Sequence, residues 1–135
     1  MEWMKDGYLI SDDKKLLDIE AIVTLLSKSY WASDRPQEVI ERSIDNSISF
    51  GVYYNQEQVA FARAVTDKVV FTWVMDVIVR EDFRSQGIGK KLIECLLEHP
   101  DIKETKVSLA TKDAHTLYEK FGFERQECMR RGPSF

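Results

Sequence analysis

Apolar residues recur along this chain at two spacings, one typical of amphipathic helices and the other of strands. Helical spacing occurs across residues 18–29, in a segment that follows Asp34, and across 87–98. Short apolar or β-branched runs between turn residues predict strands at 8–11, 49–54, 58–66, 69–79, 105–110 and 123–129. A short helix at 114–121 ends at Gly122, a typical helix-ending glycine. The predicted order is β-α-α-β-β-β-α-β-α-β.

This order of elements predicts an α/β fold with one mixed sheet. Short polar turns join the strands between residues 49 and 79, which favours an antiparallel meander. A helix joins the strands at 69–79 and 105–110, so these two should be parallel. Asp34 is a candidate cap for the second helix, with Gln37 three residues later as a capping-box partner. No linker or repeat is evident, so residues 1–135 are expected to form a single domain.

Composition and charge narrow the class of protein. No apolar run approaches the ~20 residues that a membrane-spanning helix needs. The net charge of −4 argues against a general nucleic-acid-binding protein and slightly favours a cationic ligand. Two cysteines predict no disulfide framework, and no signal-peptide pattern is present near residue 1. A cytoplasmic location without a membrane partner is therefore the default expectation.

A basic, glycine-bearing turn between a strand and a helix is the segment most informative about function. The strand contributes Val77, Ile78 and Val79, and the turn consists of Arg84, Ser85, Gln86, Gly87, Ile88, Gly89 and Lys90. Free backbone N–H groups and the positive end of the helix dipole favour an anion at such a turn. The two glycines leave room for a phosphate to approach the main chain.

Three phosphate-binding patterns can be compared with this turn. A P-loop needs Lys followed by Ser or Thr, but Lys90 is followed by Lys91. A Rossmann turn needs a small residue three positions after its second glycine, and that position is Leu92. The third pattern, Arg/Gln-x-x-Gly-x-Gly/Ala, is matched completely from Arg84 to Gly89. An ordinary strand–turn–helix corner with two glycines is the alternative that the turn alone leaves open.

A second segment points to a known family. Residues 114–123 read A-H-T-L-Y-E-K-F-G-F and resemble the ending A-x-x-L-Y-E-K-x-G-F of the GNAT superfamily of N-acetyltransferases. The third phosphate-binding pattern is that family's acetyl-CoA pyrophosphate loop, and the resemblance covers roughly residues 50–126. It implies the GNAT fold, in which the central parallel strands splay apart. It also implies that the backbone of Val77, Ile78 and Val79 binds the pantetheine arm, with acetyl-CoA as cosubstrate and no metal.

The resemblance further implies an activity and two catalytic candidates. The reaction is acetyl transfer from acetyl-CoA to a primary amine of a small molecule or peptide, by direct attack through a tetrahedral intermediate. Tyr118 matches the family's tyrosine near the CoA sulfur and is the implied proton donor to the leaving thiolate. An alkylamine has a pKa near ~10.4, so a base must take its proton. Asp76, an acid in an otherwise apolar strand, is the candidate base, and a structural role for it is the alternative.

Several further residues are weaker candidates. Thr111 stands where many family members have an asparagine that bonds the pantetheine. Trp31 and Asp34 lie between the first two helices and are candidate acceptor-binding residues, through cation–π contact and charge, although loop packing and capping would also explain them. His115 is expected to face solvent. A homodimer is compatible with the resemblance, and a CoA-binding regulatory protein without turnover is the alternative function.

Overall fold

A single six-stranded mixed sheet forms the centre of the molecule. The computed structural model describes residues 1–132, so the last three residues of the expected domain lie outside the described part. The strands are β1 (Glu2–Lys5), β2 (Tyr8–Ser11), β3 (Ile48–Tyr54), β4 (Glu57–Thr66), β5 (Phe71–Val79) and β6 (Lys106–Leu109). The helices are α1 (Ile19–Ser27), α2 (Gln37–Asp45), α3 (Ile88–Glu98) and α4 (His115–Glu119), with short 3-10 turns at Lys14–Leu16 and Glu81–Phe83.

The strands lie in the sheet in their order along the chain, β1-β2-β3-β4-β5-β6. Neighbouring strands are antiparallel except for β5 and β6, which are parallel and are joined through α3. The α/β class, the mixed sheet, the antiparallel meander and the parallel pair predicted from the sequence are therefore confirmed.

Helices cover the sheet on both faces. On one face α3 inserts Ile88, Leu92, Cys95 and Leu96 against residues of β2, β3 and β4. On the other face α1 and α2 enclose Phe61 of β4 and Ile78 of β5. Because β4 lies at the centre of both cores, seven consecutive residues of it are buried.

One strand was missed from the sequence, and two predictions about elements are wrong. The strand β1 was not predicted, although Asp6-Gly7 between two apolar runs is a hairpin signal, and both turn residues have positive φ, 51° and 86°. Residues 123–129 were predicted as a strand but form no regular structure. Asp34 does not cap α2, which begins after Pro36 without a side-chain cap. The X-Pro bond favours extended backbone before Pro36, which moves the helix start past Asp34.

The pairing of β5 with the shorter strand β6 ends near the middle of β5. Its last matched residues are Val74 and Leu109, and residues 75–79 of β5 have no partner in β6. On its other side β5 carries a bulge, because the register with β4 shifts by one residue between Phe61 and Arg63. Asp76 lies in this bulge with a φ of 57°. The strand therefore leaves backbone unpaired immediately before the glycine-bearing turn.

No helix within residues 1–132 is both long and apolar enough to span a membrane.

Candidate active site

The glycine-bearing turn presents unpaired backbone donors at the start of α3. Gly87 precedes the helix with a φ of 78°, and Ser85 also has a positive φ, 65°. The first helical hydrogen bond runs from the Lys91 N–H to the Gly87 carbonyl, at 3.1 Å. The N–H groups of Ile88, Gly89 and Lys90 therefore donate to no group of residues 1–132, as expected for a helix N-terminus. These donors and the helix dipole suit an anion.

The two glycines differ in how much room surrounds them. A Cβ added at Gly89 would meet only the Val79 Cγ2 atom, at 3.9 Å, which is ordinary contact. A Cβ at Gly87 would lie 3.2 Å from the Lys91 Nζ and would need a strained backbone. The same distances show that the start of α3 packs against the end of β5. The turn and the strand backbone that the sequence predicted as one site are thus brought together.

Side chains from three parts of the chain hold the turn in shape. The Arg84 Nε donates to the Val79 carbonyl at 3.2 Å and ties the turn to β5. The Tyr8 hydroxyl, from β2, donates to the Gln86 Oε1 at 3.0 Å. Arg80 pairs with Asp82 at 2.7 Å and lies over the Phe83 ring at 4.8 Å. The Tyr8 contact was missed from the sequence, since nothing local links residues so far apart.

Tyr118 is a buried tyrosine with a raised pKa. Its ring is buried, packs edge-on against Phe123 at 5.7 Å, and belongs to α4, which follows β6. Burial, together with Tyr30 and Asp113, raises the pKa of Tyr118 to about 12. Its hydroxyl bonds no protein group within residues 1–132. The phenol therefore keeps its proton at neutral pH and has that proton available.

Thr111 and His115 lie with Tyr118 around one cavity. This cavity of about 1120 Å³ runs along the outer edge of β6 and does not reach the glycine-bearing turn. The Thr111 Oγ1 accepts the Ala114 N–H at 3.0 Å, which supports the entry to α4 and leaves the hydroxyl proton free to donate. His115 lines the cavity and is half-buried.

Asp76 is enclosed by donors rather than presented as a base. Its Oδ2 accepts the Arg63 Nε and the Arg35 Nη1, each at 2.7 Å, and its Oδ1 accepts the Trp31 Nε1 at 3.0 Å. Burial alone would raise the pKa of the Asp76 carboxyl, but the charges and hydrogen bonds of Arg63 and Arg35 outweigh it and hold the pKa below its usual value. A carboxylate held this way has little affinity for a proton. These contacts favour the structural role for Asp76 that was the alternative to a base.

The connection between α1 and α2 approaches the connection between β6 and α4. The Tyr30 hydroxyl accepts the Lys112 N–H at 3.2 Å, and the Tyr30 ring packs edge-on against Trp31 at 5.0 Å. Trp31 is half-buried and is tied to Asp76, whereas Asp34 is exposed and does not join this group. The structure therefore brings Trp31, but not Asp34, to the strand that carries the site.

Two buried arginines are the residues that sequence reasoning missed here. Arg63 lies within the buried stretch of β4, and Arg35 lies just before α2. One signal was available: Arg63 and Asp76 are lone opposite charges in two apolar strands that were predicted to be neighbours. Among residues 1–132, no group of three or more His, Cys, Asp or Glu side chains is arranged to hold a metal ion.

The ion pairs of Asp76 predict a dependence of stability on pH. The folded pKa of Asp76 lies below its unfolded value of 3.8. Its contribution is therefore fully present above about pH 4 and is lost as the pH falls through the folded pKa. We expect Asp76→Asn to be less stable than the wild type at neutral pH and the gap to narrow in acid. Urea unfolding of both proteins across pH checks this, and a constant gap would contradict it.

Comparison with known proteins places this geometry among acetyltransferases. The profile of the acetyltransferase (GNAT) domain matches residues 45–125. The protein FG08082 of Gibberella zeae, which carries an acetyltransferase name, is 29% identical over 142 residues, covering 87% of this chain and 79% of its own. The uncharacterized N-acetyltransferase ycf52 of Pyropia yezoensis is 28% identical, covering 88% of this chain and 71% of its own.

Solved structures show the same relationship over nearly the whole chain. A crystal structure from Xanthomonas campestris, described as belonging to the GNAT family, is 36% identical with a TM-score of 0.91, and the match covers 97% of this chain and 96% of that one. A GNAT family acetyltransferase from Elizabethkingia anophelis, crystallised with acetyl-CoA bound, has a TM-score of 0.71 at 23% identity, covering 91% and 80% of the two chains. At 23% identity, the similarity to the Elizabethkingia anophelis structure shows a shared fold and nothing further.

Proposed function

This chain belongs to the GNAT family of acetyltransferases, and from that premise we propose that it moves the acetyl group of acetyl-CoA to a primary amine by direct attack, through a tetrahedral intermediate. One observation carries the proposal. The unpaired N–H groups of Ile88, Gly89 and Lys90 lie at the end of a strand whose last residues, 75–79, have no partner in β6. A pyrophosphate and a strand-like pantetheine arm need these two features side by side.

Each part of the turn and strand has a distinct role in this proposal. The N–H groups from Gly87 to Lys90 would hold the pyrophosphate, and the backbone of Val77, Ile78 and Val79 would bind the pantetheine as an added strand would. An unpaired N–H at the splay would stabilise the oxyanion. Acetyl-CoA supplies the activated acetyl group as a thioester. Thr111 would contribute a hydroxyl contact to the pantetheine.

Proton transfer in this proposal involves Tyr118 and water. Tyr118 would protonate the leaving thiolate, since its phenol is protonated at neutral pH and has no competing protein partner among the described residues. The amine must lose a proton, and Asp76 is too firmly paired to accept it. Water in the open splay is the route that we propose for that proton.

The acceptor is proposed only by chemical class. A small-molecule amine or the amine of a peptide would enter beside the α1–α2 connection, where Trp31 offers an aromatic face. Asp34 is exposed nearby and would act as a charged partner at the rim. A homodimer remains a prediction, which light scattering checks.

Acetyl transfer is tested by identifying the product. The protein is incubated with labelled acetyl-CoA and separate pools of small amines, polyamines, aminoglycosides and peptides with free N-termini. We expect label on the nitrogen of at least one pool, found by mass spectrometry. Label only on hydroxyl groups, or on no pool although acetyl-CoA raises the melting temperature, would contradict the proposal. The second result would favour the non-catalytic CoA-binding protein.

A further inference from the structure

A buried charged cluster lies at the bulge of β5, directly before the strand backbone proposed to bind acetyl-CoA. It consists of Trp31, Arg35, Arg63 and Asp76. The side chain of Asp76 is 1% exposed, and those of Arg35 and Arg63 are 6% and 7% exposed. Burying three charged groups is costly unless they form a well-made network. Such a network therefore needs a structural or functional reason at this place in the strand.

The cluster is attached to an unusual backbone. Asp76 has a φ of 57° within a strand, a conformation that residues other than glycine rarely adopt. The register between β4 and β5 shows that Asp76 and Val77 together lie opposite Ala62. Such a conformation persists where the surroundings hold it in place. Three donors from two other parts of the chain converge on the Asp76 carboxylate and can hold it.

The donors link the bulge to the elements around the site. Arg63 reaches Asp76 from the neighbouring strand β4, while Arg35 and Trp31 reach it from the connection between α1 and α2. Arg63 also extends its Nη1 to the Ser43 carbonyl at 3.5 Å and to the Ser47 Oγ at 3.4 Å, at the end of α2. The carboxylate is therefore the point where the bulge, β4 and the helical layer are joined.

The bulge and the separation of β5 from β6 occur together. Pairing with β6 ends at Val74, two residues before Asp76, and the proposed pantetheine contact begins at Val77. An extra residue in a strand turns the following backbone and increases its twist. A strand fixed in this way holds residues 77–79 in one orientation, paired with β4 on one edge and without a strand partner on the edge that β6 occupies earlier in β5.

We infer that Asp76 is a positioning residue: its ion pairs with Arg63 and Arg35, and its bond with Trp31, hold β5 in the bulge that turns the backbone of residues 77–79 toward acetyl-CoA. This inference rests on the proposed function of the same site. It gives the buried acid a role other than proton transfer, and it assigns Arg35 and Arg63 to the function of the site.

Acetyl-CoA affinity tests this role. Asparagine tolerates positive φ, so Asp76→Asn removes the charge without forbidding the backbone conformation. We expect calorimetry to show acetyl-CoA binding weakened at least about tenfold, the size of effect that charged hydrogen bonds support. Hydrogen exchange of the amides at 77–79 should rise as well. Arg63→Lys, which keeps the charge but not the Nε donor, should give a smaller loss in the same direction.

A matched control separates positioning from general stability. Asp12 lies away from the bulge, where its carboxylate accepts from the Met1 amino group at 2.8 Å and lies 2.7 Å from the His99 Nε2. Asp12→Asn therefore removes another partly buried carboxylate that has a charged partner. We expect its acetyl-CoA affinity to stay within about twofold of the wild type, as for substitutions outside the site. Equal weakening in Asp12→Asn and Asp76→Asn at similar melting temperatures would overturn the inference, as would unchanged affinity in Asp76→Asn.

Other outcomes are also decisive. If Asp76→Asn regains wild-type turnover at high pH, where the free amine is abundant, Asp76 is the base and the inference fails; a constant activity ratio across pH supports it. If Asp76→Asn and Arg63→Lys both fail to fold, the cluster serves the whole domain and the positioning role is overturned. If the wild type itself does not bind acetyl-CoA, the proposed function fails first, and the inference fails with it.

Discussion

Replacing Gly89 with Val is expected to abolish acetyl-CoA binding while the protein stays folded. The Gly89 backbone is helical, and an added Cβ would meet only the Val79 Cγ2 at 3.9 Å. Gly and Val have similar, modest helix propensities, so folding stability should change by less than about 1 kcal/mol. The valine branches would occupy the pyrophosphate position. Losing two hydrogen bonds to a charged group corresponds to a weakening of roughly 10²-fold or more.

Gly89→Ala is the matched control for this prediction. The motif that Arg84 to Gly89 matches accepts Ala at the last position, so this variant should bind acetyl-CoA nearly as well as the wild type. Its melting temperature should be equal or higher, because Ala stabilises a helix relative to Gly by about 0.5–1 kcal/mol. Calorimetric titration and thermal melts of the three proteins provide the comparison. Wild-type affinity in Gly89→Val would show that the anion binds elsewhere.

Replacing Tyr118 with Phe should lower turnover by about 10²-fold and leave acetyl-CoA affinity nearly unchanged. Only the hydroxyl is lost, and that hydroxyl bonds no described protein group. The ring would keep its edge-on contact with Phe123, so the fold should not change. A loss in kcat with little change in binding is the signature of an interaction made in the transition state.

Tyr53→Phe supplies a control with the same chemical change. The Tyr53 hydroxyl is buried and is the one buried side-chain oxygen or nitrogen without a partner among residues 1–132. Removing it should leave turnover unchanged and should raise the free energy of unfolding, because an unsatisfied buried polar group costs about 1–3 kcal/mol. Steady-state kinetics and urea unfolding of Tyr118→Phe and Tyr53→Phe separate an effect on turnover from an effect on stability. Full turnover in Tyr118→Phe would reduce Tyr118 to a packing residue.

Local patterns explain which parts of the fold were predictable. The helix α3 and the turn before it are specified by neighbouring residues, so periodicity and the glycine spacing located both within one residue. The prediction of a strand at residues 123–129 was wrong because a strand forms only where its backbone can pair with a neighbouring strand. The strand β6 has only four residues, and within residues 1–132 its outer edge pairs with no further strand. Apolar content alone carried no information about that pairing.

The site shows the same division between local and distant information. The glycine-bearing turn with its unpaired backbone N–H groups was predictable, because its donors and glycines are consecutive in sequence. The state of Asp76 was not, because it depends on Arg63 and Arg35, which are 13 and 41 residues away along the chain. The sequence around a buried acid does not show whether the carboxylate is free to accept a proton or is enclosed by arginines. Only the three-dimensional contacts separate the two roles.

Thiol release from acetyl-CoA, measured with and without amines, tests the central claim of acetyl transfer by direct attack. The assay needs Cys128→Ser as its background, because Cys128 is exposed and would react with thiol reagents, whereas Cys95 is buried. We predict steady release that requires an amine, in proportion to acetylated product, and no release from acetyl-CoA alone. Binding of acetyl-CoA without release for any amine, or a stoichiometric burst before amine is added, would contradict the account.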